Sequence, residues 1–108
     1  MTEQDKADAQ DIYDHRWTEA RDTVCDAVDA ALTSAVRKHR SIYSAHEGYA
    51  VILEELDEVK AEVWKSTPNR AALYKELQHV AAMAIRMAID LVLYVPDEEN
   101  HVSVPHVQ

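Results

Sequence analysis

The sequence predicts an all-α protein: a helical bundle of three main helices, with the third buried in a homo-oligomeric core. Three observations predict it. The 108 residues include one Gly and three Pro, too few for a turn-rich β protein. Apolar residues recur at steps of three and four along three long segments, the spacing of one helix face. The third segment is apolar on nearly all sides, and two other helices of one chain can hardly cover it.

The first helix is expected over about Ala7 to His39, where Tyr13, Trp17, Ala20, Val24, Ala27 and Ala31 share a face. Arg40 to Tyr43 reads as a connection. Ser44 then opens the second helix through a capping box with Glu47. Tyr49, Ile52, Leu56, Val59 and Val63 form its stripe, and it should end near Lys65 or Ser66. Gly48 in its first turns costs about 1 kcal/mol against Ala, and close approach of another backbone is one reason to keep it. Thr67 as N-cap and Pro68 at the first helical position start the third helix, which runs to about Tyr94 and is stopped by Pro96. Residues 1–95 thus form a single helical domain, with 1–6 flexible. Residues 96–108 lack a helical period and are expected to be a flexible tail or to drape on a partner.

The net charge is -9, which argues against a nucleic-acid partner. An acidic protein that handles phosphates usually needs metal cations between them. Cys25 is the one cysteine, so no intramolecular disulfide forms, which fits a reducing cytoplasm; in a helical pattern it reads as a small core or boundary residue. The acidic N-terminus lacks the apolar run of a signal peptide. Val80 to Val95 is apolar but short, and contains Arg86 and Asp90, so no membrane segment is expected.

The helical period also sorts the acids. With Ile52 at zero on the second helix, Glu55 falls at about 300°, Glu62 at about 280°, Glu58 at about 240° and Glu54 at about 200°. Four carboxylates therefore flank the buried stripe, and those one turn apart repel each other unless a cation turns repulsion into coordination. With Leu73 at zero on the third helix, Glu76 falls at about 300° and His79 at about 240°. In an antiparallel hairpin the two pairs can face one cavity. Mg²⁺ takes oxygen ligands and uses few carboxylates together with water and phosphates, which suits this set. A solvated acidic face is the plain alternative for any one of these residues.

Glu54-Glu55-Leu56-Asp57-Glu58 matches Glu-Glu-x-x-Glu, with 17 residues between Glu58 and Glu76. With SAHEGYAVILEELDEV and KELQHVAAMAIRMAIDL around it, the stretch from about Arg37 to Leu91 resembles the MazG-like all-α nucleoside triphosphate pyrophosphohydrolases, in particular the short proteins of phage and prophage genomes. The resemblance implies hydrolysis of (deoxy)nucleoside triphosphates between the α- and β-phosphates, with Mg²⁺ or alternatively Mn²⁺ as cofactor. It implies that Glu55, Glu58 and Glu76 hold metal and that Glu54 supports them or orients water. It further implies a homodimer or homotetramer in the cytoplasm of a bacterial or phage-infected cell.

One position departs: the family pattern has Glu-x-x-Asp where this chain has Glu76-x-x-His79. Imidazole is a poor Mg²⁺ ligand and suits Mn²⁺, Fe²⁺ or Zn²⁺ better. Lys65 and Arg86, each at about 220° on its helix, are candidates for the substrate phosphates. Two alternatives stand beside the enzyme: a weakened or inactive nucleotide-binding or interaction module of the same fold, and a di-iron carboxylate bundle. The latter needs two Glu-x-x-His motifs, so this chain requires a symmetric dimer for it.

Overall fold

The computed structural model describes residues 1–94, and all the regular structure in them is helical. α1 spans Glu3–Lys38, α2 Ala45–Val63 and α3 Arg70–Ala88, and a π-helical segment, Ile89–Leu93, continues α3. α3 is the central element: it packs against both α1 and α2. The expected tail, 96–108, lies outside the described residues. No helix among them is long and apolar enough to cross a membrane.

α1 begins earlier than the apolar period indicates. Thr2 Oγ1 accepts from the Asp5 amide at 3.0 Å, and Asp5 Oδ2 accepts from the Thr2 amide at 3.0 Å. This capping box, with Glu3 and Asp5 at the positive end of the helix, extends the helix over residues 3–6. Only the C-terminal third of α1 packs. Val28 is buried and Ala27, Ala31, Leu32 and Ala35 are half-buried, whereas Tyr13, Trp17 and Val24 are exposed, as is Cys25. The expected stripe therefore meets α3 only at its last turns. The rest of α1, in a helix about 54 Å long, extends beyond the other two helices uncovered.

α2 opens at Ser44, whose Oγ accepts from the Glu47 amide at 3.1 Å. The Glu47 carboxylate does not reach back to the cap; it pairs with the Arg40 guanidinium instead. A Cβ on Gly48 would lie 2.7 Å from Met87 Sδ, so the missing side chain lets α2 and α3 approach closely at this level. α2 ends at Val63, two residues before the expected end.

The start of α3 also differs. Asn69, not Thr67, is the N-cap, and its Oδ1 accepts from the Ala72 amide at 3.1 Å. Glu62 causes the shift. It is only 5 % exposed, and its Oε1 accepts from the Asn69 amide at 2.7 Å while Oε2 takes the Lys65 ammonium at 2.6 Å. These bonds hold its carboxyl below the usual carboxylate range, Lys65 first and the Asn69 amide next.

Arg86 fixes the opposite end of the bundle. It is 4 % exposed. Its Nη1 donates to the Ala35 carbonyl at 3.0 Å, and its Nη2 to the His39 and Arg40 carbonyls at 2.8 and 2.7 Å. Its Nε donates to Asp90 Oδ2 at 3.3 Å, and the same oxygen accepts from the Ile42 amide at 3.0 Å. One guanidinium thus holds the Ala35 carbonyl of α1 and the two carbonyls just past the helix, and one carboxylate anchors the link to α2.

Candidate metal centre

The antiparallel pairing of α2 and α3 brings the flank residues together. Glu55 and Glu58 lie one turn apart on α2, and Glu76 and His79 one turn apart on α3. Each offers one ligand atom, and these atoms all lie within 4.8 Å of one another. This is the spacing of groups gathered around one point, and it unites four of the six residues on the two flanks, leaving out Glu54 and Glu62.

The cluster carries unsatisfied charge. Glu55 Oε2 and Glu76 Oε2 are buried and have no hydrogen-bond partner among the described residues. His79 Nδ1 lies 3.6 Å from Glu55 Oε2 and 3.8 Å from Glu76 Oε2, close enough for charge attraction and too long for hydrogen bonds. Burial pushes the Glu55 carboxyl above its ordinary range, and the negative charge of Glu58 adds to this. Glu58 is also raised, chiefly by the Glu76 carboxyl beside it and its charge. Two carboxyls held toward their protonated forms beside two buried unpartnered oxygens describe a site short of positive charge. A divalent cation fits this donor set: three carboxylates and one imidazole, converging from two rigid helices.

The other sequence candidates fall elsewhere. Glu54 is exposed and outside the cluster, though its charge acts on Glu55. Glu62 has turned away to hold the α2–α3 link, and Lys65 is paired with it. Arg86, a candidate for substrate phosphates by its angle, has its guanidinium occupied by three carbonyls and Asp90. Both cations are therefore structural partners in this structure, for the same reason: a carboxylate or carbonyl set lies within closer reach than the cluster.

A cavity of about 540 Å³ adjoins the centre, within the size range of small-molecule sites. Glu55 and His79 line one part of it. α1 lines another with Ser34, Lys38 and His39, followed by Arg40 from the link. Sequence reasoning missed this wall, because nothing in the α1 period shows which turns α3 and α2 face. The run Arg37-Lys38-His39-Arg40 was the available signal: four basic residues in a chain of net charge -9.

No protein-family model matches the chain, and no curated protein or solved structure matches it.

Proposed function

We propose that the protein is a metal-dependent nucleoside triphosphate pyrophosphohydrolase of the MazG-like kind, releasing a nucleoside monophosphate and pyrophosphate. The observation that carries this reading is the convergence of Glu55, Glu58, Glu76 and His79, with two buried unpartnered oxygens, beside a cavity of ligand size. The Glu-Glu-x-x-Glu motif and its surroundings supply the reaction class by resemblance. Glu55 and Glu58 from α2, with Glu76 and His79 from α3, hold Mg²⁺ or Mn²⁺. An ion held there would supply charge for the phosphate oxygens and would make a water molecule a better nucleophile. Glu54, next to the cluster and open to solvent, supports the site from outside. His79 favours Mn²⁺ over Mg²⁺, because an imidazole nitrogen replaces an oxygen donor.

The test is pyrophosphate release from a full ribo- and deoxyribonucleoside triphosphate panel with each metal. Glu55→Gln and Glu58→Gln should each lower it by about 100-fold or more, since even changes outside a metal's own ligands cost 10- to 100-fold. No release above these variants with either metal overturns the reading.

His79 also favours a second reading, a nucleotide-binding module without turnover. Calorimetric binding of a triphosphate with no product would establish it. In either case the chain is proposed to work as a homodimer or homotetramer. Large apolar side chains stay exposed on all three helices, and no large side chain is fully buried among the described residues.

A further inference from the structure

Every residue of α1 from Glu3 to Asp26 is exposed, about 36 Å of helix that the described part of the chain leaves uncovered. A helix in water draws most of its stability from packing an apolar face, not from propensity. This arm carries such a face. With Tyr13 at zero and 100° per residue, Trp17 falls at about 40°, Ala20 at about 340° and Val24 at about 20°. Asp8, Asp11, Glu19, Asp22 and Asp26 fall between about 160° and 240°, on the opposite side. A partner can therefore approach the stripe without meeting these acids.

The stripe follows a heptad, with Gln10, Trp17 and Val24 at a and Tyr13, Ala20 and Ala27 at d. Asp14 and Arg21 then take e positions and Arg16 a g position. Two such arms running in the same direction oppose Trp17 to the partner's Trp17 and set Arg16 against the partner's Arg21, a like-charge pair made twice. Run in opposite directions about a two-fold axis between Thr18 and Glu19, they match. Trp17 lies over the partner's Ala20, large on small, Tyr13 lies over the partner's Val24, and Asp14 stands beside the partner's Arg21. In the single chain these two charges hold only exposed contacts near in sequence. Asp14 accepts from the Gln10 side chain at 2.8 Å, and Arg21 donates to Asp22 at 3.2 Å. The Arg21 guanidinium also lies over the Trp17 ring, 5.9 Å from its centre.

We propose that the arm of α1, from Gln10 to Ala27, pairs antiparallel with the same arm of a second copy of this chain. The inference rests on the assembly proposed above and gives it a contact separate from α2 and α3; it is independent of the metal and of the reaction. Covering Tyr13, Trp17, Ala20 and Val24 with the stems of the flanking charges buries about 500 Å² per copy. The pair then buries about 1,000 Å², the least that a specific interface needs. At that size the contact is expected to be weak, with a dissociation constant on the order of 1–10 µM.

The experiment is sedimentation equilibrium of the full chain from about 1 to about 200 µM, a range that brackets the expected constant. Wild type is compared with Asp14→Arg, with Arg21→Asp and with the two changes together. Each single change turns two ion pairs into two like-charge pairs and should weaken association about tenfold or more. The double change exchanges the partners of both pairs and should restore association to within about threefold of wild type. Trp17→Ala should weaken it likewise, and Trp17→Ala with Ala20→Trp should recover it, because only antiparallel arms set these two positions opposite each other. Rescue separates a lost contact from an unfolded arm, since a second change does not refold what the first has melted. Association that none of the single changes weakens overturns the inference and leaves the assembly standing on α2 and α3. Weakening that neither double change rescues overturns it too. Wild type that stays monomeric to about 200 µM overturns the assembly along with it.

Discussion

Glu55 is both a proposed metal ligand and a half-buried carboxylate with one unpartnered oxygen, and this makes it the most informative single residue. Its folded-state pKa lies above the ordinary value, because of burial first and Glu58 second. Its contribution to stability is therefore full below the unfolded pKa and lost as pH rises through the folded one. In the metal-free protein, Glu55→Gln should raise the melting temperature near pH 7 by about 2–4 °C, the equivalent of relieving one like-charge contact. The gain should shrink toward about pH 4, where the carboxyl is protonated anyway. A gain that does not change with pH would contradict this account. Added Mn²⁺ should stabilise wild type and leave the variant unmoved. Glu62 runs the other way: its lowered pKa adds stability above the unfolded value and loses it as pH falls through the folded one. The cluster was legible in the sequence because helical period and a short link alone determine which flanks meet. Arg86 was not. Its angle matches a site residue, but its acceptors lie 46 to 51 residues away in the chain, and no local pattern announces them.

At the scale of the elements, two carboxylates do the joining, one buried and one half-buried: Glu62 bonds the start of α3 and Asp90 bonds the link that leads to α2. Ser44 was readable as a cap because its partner is three residues away, whereas Asn69 was obscured by Thr67-Pro68, a plausible start that the Glu62–Asn69 bond overrides. Arg86→Met should destabilise the protein by about 3 kcal/mol in urea denaturation, since it removes a buried cation that bonds three carbonyls and Asp90 and leaves the His39 and Arg40 carbonyls without a donor. A loss under about 1 kcal/mol would mean that water replaces the guanidinium. At the α2–α3 crossing, Gly48→Ala gains about 1 kcal/mol of helix propensity and must displace the Met87 thioether. The two effects nearly cancel, so the variant should melt close to wild type, and Gly48→Ala with Met87→Ala should isolate the propensity term less the cost of the lost thioether packing.

At the scale of the molecule, the single chain is short of a core. Among the described residues, the buried apolar ones are Val28, Ile42, Ala82 and Leu91. Exposed instead are Tyr13, Trp17 and Val24 on α1, Tyr49, Leu53, Leu56 and Val63 on α2, and Tyr74, Leu77 and Ile85 on α3. At about 100 Å² each, covering them in two copies buries on the order of 2,000 Å², the lower bound of an obligate dimer interface. Light scattering should therefore give a multiple of 12.3 kDa, and Leu77→Glu with Trp17→Glu should lower the mass or unfold the chain. The apolar third helix signalled this demand in the sequence; the uncovered length of α1 did not, because a stripe looks the same whichever chain covers it. The central claim concerns chemistry, and product identity tests it most directly. Triphosphates are incubated with the protein and Mg²⁺ or Mn²⁺, and pyrophosphate, monophosphate and orthophosphate are all quantified. The account predicts pyrophosphate and monophosphate in equal amounts from at least one triphosphate, lost in Glu58→Gln. Orthophosphate and diphosphate as the products, or no product above the variant, would contradict it.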